Sequence, residues 1–145
     1  MICPRCDDQG LIYNAKIVEL GIVIKLCDEC EACWLENQPV KIENFKGLTT
    51  FLEENGLTYD NSTIEDLEYI DSSERNRTYF DLYDANEIIA LIDEAWLMKG
   101  KPLIPDLGAY AIDMKRVIGT QGETGIKIIV KPETSEIKTA YPIKI

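Results

Sequence analysis

Histidine is absent from the 145 residues of this sequence. Because histidine is the side chain whose ordinary pKa lies nearest to neutral pH, its absence excludes catalysis that depends on a histidine acid or base. Long hydrophobic runs are absent too, and the N-terminal MICPRC has neither the basic nor the apolar region of an export signal. We therefore expect a cytoplasmic protein that does not bind membranes.

Basic residues are scarce, with 15 Lys and Arg against 26 Asp and Glu, a net charge of -11. The deficit lies in residues 1–72, where 5 basic residues stand against 15 acidic ones, a net charge of -10. Residues 73–145 carry 10 against 11, and within them residues 114–145 carry 6 against 3. Only this last segment has the sign expected of a phosphate-binding surface.

Four of the five cysteines follow a metal-ligand pattern. Cys3 and Cys6 frame CPRC, Cys27 and Cys30 frame CDEC, and together they give C-x2-C-x20-C-x2-C. Four thiolates in two such pairs match a structural, tetrahedral zinc site. Between the pairs, two β-branched segments meet at Gly21, so a hairpin would bring the cysteines together. The pattern predicts a zinc ribbon.

Cys33 complicates the ligand set, because Cys30 and Cys33 form an equally spaced pair. We favour Cys27 with Cys30, since these two directly follow the predicted strand, and expect Cys33 to be a spare or buried thiol. The alternative for the whole cluster is a redox C-x-x-C motif or unrelated buried thiols. A thioredoxin-like motif needs a preceding strand, which Cys3 lacks.

A helix is predicted after the ribbon, capped by Asn44 and ended by a left-handed Gly56. One face of this helix would be apolar and pack on the hairpin, with Phe45, Leu48, Phe51 and Leu52. STIEDLEYI, over residues 62–70, is expected to add one more short helical turn.

The first half resembles a family of small bacterial zinc-ribbon proteins that are found near polymorphic-toxin genes and regarded as immunity proteins. The resemblance rests on MICPRC, CDECEACW, LENQPV, ENFKGLTTFLEENGL and EDLEYI. It implies a structural zinc ion and a cognate toxin as the partner. The family usually has an apolar residue in place of Cys33, which supports the ligand choice above. An acidic surface would suit the basic cleft of a nuclease, although solubility explains it equally well.

The boundary between two domains is predicted near Ser72 and Ser73, where the chain is polar and aperiodic. A helix then begins with Asp84 as its cap and Glu87 as capping-box partner, and it ends by Gly100. Three strands follow, AYAIDMKRVIG, GIKIIVK and EIKTAYPIKI. The sequence thus predicts an α+β fold in two domains. A zinc ribbon plus helix forms residues 1–72, and one main helix on an antiparallel sheet of three or four strands forms residues 73–145. The other face of that sheet would be available for a ligand.

The second half resembles the C-terminal ribonuclease domains of bacterial polymorphic toxins, a broad group that includes barnase, EndoU, tRNA-cleaving colicins and RelE-type toxins. The resemblance rests on EAWLMKG, AYAIDMKRVIGTQGETGIKIIV and TAYPIK, and GETGI with TAYP is its most specific part. It implies an RNA substrate, with tRNA among the candidates. Cleavage would proceed by attack of a ribose 2'-hydroxyl on the adjacent phosphate. That step needs a base, a cation and an acid, and no metal.

Six residues are the candidates for these roles. They are Lys115, Arg116 and Lys127 as cations, Glu123 as a base, and Thr139 with Tyr141 as the pair that holds the phosphate or stacks the base. Tyr and Lys have ordinary pKa values far above neutral, so activity would require shifted pKa values or mainly electrostatic catalysis. A buried core tyrosine is an equal alternative for Tyr141. The lysines can be solvated strand residues, and Glu123 can simply close a turn.

Three functions remain open from the sequence, and enzyme activity is undecided among them. The first, which the resemblance of the second half favours, is a metal-independent endoribonuclease module that the zinc-ribbon domain restrains or targets. The second is a non-catalytic immunity or antitoxin-like protein that neutralises a nuclease through its acidic surface. The third is a zinc-ribbon regulator that binds nucleic acid, which the acidic first half disfavours. The oligomeric state is not determined by the sequence.

Overall fold

The computed structural model describes residues 1–71, 74–82, 84–104 and 106–145. The fold is α+β, as predicted, with two α-helices and two antiparallel sheets among these residues. The chain divides into two compact units, Met1–Arg77 and Thr78–Ile145. The predicted boundary at Ser72 and Ser73 falls on residues outside the described part of the chain.

The first unit is built on a five-stranded antiparallel sheet. Its strands are β1 (Ile12–Ile17), β2 (Ile22–Cys27), β3 (Ala32–Leu35), β4 (Lys46–Gly47) and β5 (Ile64–Tyr69), in the order β4-β3-β2-β1-β5. The predicted hairpin is β1 with β2, paired without interruption from Ile12 opposite Cys27 to Ile17 opposite Ile22. Gly21 closes the turn at a φ of 65°, a backbone conformation that costs glycine little.

The helix of this unit, α1 (Leu48–Glu54), begins later than predicted. Gly47 is its N-cap, and Asn44 belongs instead to a short 3-10 turn over Ile42–Asn44. The Asn44 side chain accepts a hydrogen bond from the Trp34 indole at 2.9 Å, so the tertiary structure uses this asparagine elsewhere. Gly56 follows the helix with a φ of 75°, as expected. The buried residues of α1 pack against the inner face of the sheet and are Leu48, Phe51 and Leu52.

The prediction of a helical turn within STIEDLEYI is wrong. Residues Ile64–Tyr69 form β5, which pairs antiparallel with β1 from Ile17 opposite Ile64 to Tyr13 opposite Tyr69. The reason is tertiary: β1 would otherwise be an edge strand with open backbone donors and acceptors, and β5 pairs with them. The rings of Tyr13 and Tyr69 also lie 5.6 Å apart, and such cross-strand aromatic pairs stabilise a sheet.

The second unit places one helix on a three-stranded antiparallel sheet. The helix is α2 (Ala85–Met98), and the strands are β6 (Ala109–Asp113), β7 (Gly125–Val130) and β8 (Ile137–Ile143), in the order β6-β7-β8. Asp84 is the N-cap of α2, and its side chain accepts from the amide of Asn86 at 2.8 Å. The core lies between helix and sheet and includes Leu91, Ala95, Ile112, Ile126, Ile128 and Val130.

Candidate metal centre and the predicted catalytic residues

The first cysteine pair lies in a tight turn. The amide of Asp8 donates to the carbonyl of Cys3 at 3.1 Å, and the amide of Gln9 donates to the carbonyl of Cys6 at 3.0 Å. Asp7, the residue after the second cysteine of the pair, has a φ of 51°. This left-handed residue helps turn the chain back after the second cysteine.

The second pair repeats this arrangement at the end of β2. Glu31, the residue after Cys30, has a φ of 60°, and the amide of Glu29 donates to the Cys27 sulfur at 3.4 Å. Both pairs are therefore C-x-x-C turns directly followed by a left-handed residue that is not glycine, and in the first turn Asp8 is left-handed as well, at a φ of 61°. A left-handed conformation at Asp or Glu is uncommon. Its occurrence directly after the second cysteine of both turns shows that the two turns have the same backbone geometry.

The hairpin brings the two turns together. Ile12 pairs with Cys27 at the open end of the hairpin, and the isolated bridge between Ile2 and Leu11 places the first turn beside it. The strands on either side of Gly21 thus set the distance between the pairs.

Cys3, Cys6, Cys27 and Cys30 have sulfur atoms that all lie within 4.8 Å of one another, and all four residues are buried. The sulfurs of Cys3 and Cys30 lie 3.8 Å apart, and those of Cys6 and Cys27 lie 3.7 Å apart. Four sulfurs at about 2.3 Å from one metal ion stand about 3.8 Å apart at the corners of a tetrahedron. A disulfide would require about 2.05 Å. The spacing therefore fits tetrahedral metal coordination and excludes disulfides between these atoms.

The electrostatics of the four sulfurs also favour a cation. Hydrogen bonds from the other thiols, that of Cys3 first, lower the pKa of Cys27 below its ordinary value. Hydrogen bonding to Cys27 in turn raises the pKa of Cys3 and of Cys6. The group thus carries one thiolate readily and resists carrying four, because negative charges less than 5 Å apart repel. A divalent cation among the sulfurs would remove that repulsion and allow all four to ionise.

Gly10 makes room for the second pair. A Cβ atom added at Gly10 would lie 2.4 Å from the Cys27 sulfur and 2.8 Å from the Cβ of Glu29. The carbonyl of Gly10 accepts from the amide of Cys3 at 2.9 Å, so the same residue also holds the first turn. Any larger side chain at this position would displace a candidate ligand.

Arg5, between the first two cysteines, is buried to 3% exposure. Its guanidinium donates to the carbonyl of Cys30 at 3.4 Å and stacks 4.5 Å above the ring of Phe45. The side chain thus links the first turn to the second and to the loop before α1.

Residues 74–77, which we call the strap, run back across both cysteine turns. The amide of Asn76 donates to the carbonyl of Asp8 in the first turn at 2.8 Å. Arg75 and Arg77 pair with the acidic residues of the second turn, Arg75 with Asp28 at 2.6 Å and Arg77 with Glu29 at 3.1 Å. Sequence reasoning assigned this polar, aperiodic segment to a domain boundary. The signal in the sequence was the charge of its two arginines, Arg75 and Arg77, which is opposite to that of the acidic CDEC segment.

Cys33 lies apart from the four sulfurs. It sits in β3, opposite Leu26 and Lys46, and belongs to the hydrophobic core of the first unit. Burial raises the pKa of the Cys33 thiol to about 12. A buried, protonated thiol of this kind is inert, in agreement with its expected role as a spare cysteine.

The candidate cations Lys115 and Arg116 lie in the loop after β6. Lys115 is exposed and has a φ of 56°. Arg116 makes a two-pronged ion pair with Glu94 of α2, at 3.0 and 2.7 Å, and this pairing lowers the pKa of Glu94. The guanidinium is therefore directed to the helix.

The candidate base Glu123 is buried to 1% exposure. Both of its carboxylate oxygens accept from the amide of Gln121, at 3.1 and 3.0 Å. A Cβ atom at Gly119 would lie 2.6 Å from one of these oxygens, so the turn is shaped around the carboxylate. This geometry matches the alternative in which Glu123 closes the turn before β7.

Lys127, Thr139 and Tyr141 share one face of the second sheet. Lys127 lies opposite Tyr141, and Thr139 lies opposite Ile129. Ile126 and Ile128 alternate with these residues and face α2, so the face of Lys127 is the other one. Ile129, Thr139 and Tyr141 are buried, so the expected open ligand-binding face is absent at these three residues.

The six candidates therefore divide into separate groups. Arg116 is held to α2, Glu123 is enclosed in a turn, and Lys127 with the Thr-x-Tyr pair lies on the sheet face that α2 does not cover. The described geometry does not bring a base, a cation and an acid around one point.

No protein-family model matches this chain, and no curated protein or solved structure shows significant similarity to it. Among the described residues, no helix combines the length and the apolar character that crossing a membrane requires.

Proposed function

We propose that the first unit is a zinc ribbon whose four cysteines hold one structural Zn²⁺ ion. The observation that carries the proposal is the spacing of the sulfurs, 3.8 Å for Cys3 to Cys30 and 3.7 Å for Cys6 to Cys27. All four positions of a tetrahedral ion would be occupied by buried thiolates, and a site without an open position is structural rather than catalytic. Iron accepts the same tetrahedral sulfur set, so the identity of the metal is part of the test.

The metal would stabilise a unit of modest size. The first unit has 77 residues, a length at which a hydrophobic core alone gives limited stability. One apolar cluster of this unit, around Ile17, Ile24 and Leu52, lies between α1 and one face of the sheet. Four metal–sulfur bonds would join the two cysteine turns at the open end of the hairpin.

The proposed activity of the whole chain is binding rather than catalysis, as an immunity or antitoxin-like protein that neutralises a nuclease. Two features support it. The candidate catalytic groups Glu123 and Tyr141 are buried, and Arg116 is paired with Glu94. Residues 1–72 carry a net charge of -10, which suits the basic cleft of a nuclease and repels free nucleic acid.

Part of the acidic surface is formed by an edge strand of the first sheet. The strand β5 is the outermost strand on one side of the first sheet and exposes Glu65, Asp66 and Glu68. Charged residues on an edge strand discourage pairing with other copies of the chain. They also offer carboxylates to lysines and arginines of a basic partner, and electrostatic complementarity of this kind accelerates association.

A metal-independent endoribonuclease is the second candidate. The observation in its favour is that Lys127 lies directly opposite Tyr141, with Thr139 on the same sheet face. These three residues would have to act on the phosphate without Glu123 or Arg116, and the face would have to be accessible to RNA.

Metal content tests the zinc ribbon. The purified full chain is expected to contain one zinc ion per molecule by elemental analysis, Cys27→Ser to lose it, and Cys33→Ala to keep it. A content of one iron ion per chain would identify the metal as iron and would still support the four-cysteine site. Loss of metal from Cys33→Ala, or retention by Cys27→Ser, would contradict the ligand set.

Incubation of the full chain with total tRNA and a long RNA in the presence of EDTA separates the two activities. We expect no cleavage. We also expect salt-sensitive binding to a basic nuclease of the polymorphic-toxin class, measured by calorimetry. Cleavage that Tyr141→Phe abolishes and Tyr79→Phe leaves intact would establish the endoribonuclease and overturn the binding proposal, because Tyr79 is exposed and serves as the matched control.

A further inference from the structure

The second unit has a groove of about 450 Å³ beside α2, which we call the α2 groove. Its size lies within the range of about 300–1,000 Å³ that is common for binding pockets. Leu91 and Ile118 are buried beneath it, and Val117 is 60% exposed at its rim. The residues that line it are Asp81, Leu82, Glu87, Ala90, Leu91, Glu94, Arg116, Val117 and Ile118.

The walls of the α2 groove are fixed by backbone hydrogen bonds. The amide of Asp81 donates to the carbonyl of Ile118 at 2.8 Å, and the amide of Thr120 donates to the carbonyl of Tyr79 at 2.9 Å. Phe80 and Gly119 form a bridge between these two bonds. One wall is therefore a short stretch of paired backbone and the other is α2, so the groove is present before any partner binds.

The charges of the α2 groove are mostly negative. Three carboxylates, of Asp81, Glu87 and Glu94, line it with one guanidinium. That guanidinium belongs to Arg116 and is paired with Glu94. Within the part of the chain that the structure describes, the carboxylates of Asp81 and Glu87 have no hydrogen-bond or ion-pair partner. The groove thus combines an apolar floor with two carboxylates open to a cation.

We propose that the α2 groove binds an arginine or lysine side chain of a partner protein. The aliphatic stem of such a side chain would cover Leu91 and Ile118, and its cationic head would reach Asp81 and Glu87. Charge complementarity selects this occupant. A phosphate group or a free nucleic acid would meet a net charge of -2 in the groove, and a wholly apolar segment would leave both carboxylates without partners.

This inference rests on the proposed binding function. It specifies that an arginine or lysine side chain of the partner binds in the α2 groove. A basic nuclease presents arginines and lysines around its cleft, and one of them would be anchored in the α2 groove. The groove lies wholly in the second unit, whereas the metal site lies wholly in the first. The two proposals can therefore fail separately.

The test uses the full metal-loaded chain labelled with ¹⁵N and three blocked pentapeptides of the form Gly-Leu-X-Leu-Gly, where X is arginine, lysine or neutral citrulline. We expect the arginine and lysine peptides to shift the amide signals of Ala90 and Val117. The citrulline peptide has the shape of the arginine peptide without its charge and is expected to bind several-fold more weakly. Equal binding of the three peptides, or shifts confined to other regions, would overturn the proposal.

Variants locate the interaction. Asp81→Asn and Glu87→Gln should each raise the dissociation constant of the arginine peptide about two- to fivefold, the effect of one exposed charge pair. Glu133→Gln, an exposed residue of the turn between β7 and β8, is the matched control and should change nothing. Val117→Lys should prevent peptide binding, because its own ammonium group would reach the two carboxylates. Equal effects of Glu87→Gln and Glu133→Gln would show a non-specific charge effect and contradict the proposal.

The outcomes also distinguish this inference from the proposed function. Cleavage of RNA by the full chain would overturn the binding function whatever the peptides do. A different outcome is that the chain binds a basic nuclease and cleaves no RNA but does not bind the peptides. That outcome would overturn only the proposal for the α2 groove. Concentration-dependent dimerisation that Val117→Lys abolishes would identify a second copy of the chain as the occupant and would also overturn the proposal.

Discussion

Arg75 donates a hydrogen bond to the Asp28 carboxylate at 2.6 Å, although 47 residues separate them in the chain. The other oxygen of this carboxylate accepts from the backbone amide of Leu11 at 2.9 Å. The strap and the hairpin therefore meet at one side chain in the second cysteine turn, and the four-cysteine cluster is flanked by contacts between residues distant in sequence.

Replacing Arg75 with methionine is expected to loosen the strap. The pair is partly buried, so its loss should cost about 1 kcal/mol, near the upper end for accessible ion pairs. The measurement is hydrogen exchange of the Asn76 and Leu11 amides in the zinc-loaded chain. Arg77→Met should have the smaller effect, because its pair with Glu29 is longer and more exposed. Unchanged exchange at Asn76 in Arg75→Met would show that the ion pair does not hold the strap.

Gly10→Ala is expected to damage the metal site. The added Cβ would lie 2.4 Å from the Cys27 sulfur, and overpacking of this kind costs about 1–3 kcal/mol. We expect less than one zinc per chain by elemental analysis and a lower melting temperature. Gly100→Ala provides the control, since nothing lies within 4 Å of a Cβ atom there. Full zinc content in Gly10→Ala would contradict the close approach of Gly10 and Cys27.

Gly119→Ala is expected to destabilise the second unit without affecting the metal. A Cβ atom at Gly119 would lie 2.6 Å from a carboxylate oxygen of Glu123 and 2.9 Å from its Cβ, in a turn with no room for the carboxylate to move. The cost should again be about 1–3 kcal/mol. Urea unfolding followed at amide signals of β7 measures it. Zinc content should stay at one per chain, opposite to the result for Gly10→Ala.

The stability of the first unit should fall at alkaline pH because of Cys33. Its pKa is raised from an ordinary value near 9 to about 12. A raised folded-state pKa contributes stability that is fully present below pH 9 and is lost as the pH rises toward 12, since the unfolded chain then ionises its thiol. The loss is at most about 1.4 kcal/mol per pH unit from one group.

The measurement is urea unfolding at pH 8, 9 and 10, followed at amide signals of β1 and β2, for the natural chain and for Cys33→Ala. At pH 8 the variant should be less stable than the natural chain, because the substitution leaves a small cavity. Between pH 9 and pH 10 it should lose less stability than the natural chain. Parallel loss in both proteins would show that other groups cause the pH dependence.

Local patterns in the sequence predicted several elements correctly. The two C-x-x-C pairs and the β-branched segments around Gly21 predicted a hairpin with four cysteines at its open end, and the structure has both. The Asp84 cap and the apolar face of α2 predicted a helix on an antiparallel sheet, which is also present. Each of these features depends on residues within a few turns or on one hairpin, so the pattern is complete in the local sequence.

Long-range pairing decided the rest. EDLEYI has acidic residues that suit a solvated helix, but β1 leaves open backbone groups and draws the segment into a strand. Asn44 has the chemistry of a helix cap but accepts the indole hydrogen of Trp34 instead. No local sequence pattern predicts that EDLEYI pairs with β1 or that Asn44 bonds to Trp34.

The candidate site of the second unit shows the same division. The sequence by itself determined which residues carry charge, and it placed Lys127 and Tyr141 on paired strands. Only the tertiary structure decided that Glu123 is enclosed by its own turn, that Arg116 pairs with Glu94, and that Asp81 and Glu87 line one groove. The physical reason is that spacing along the chain fixes which residues share a turn or a face. The packing of separate elements fixes which carboxylates are buried, paired or open to a partner.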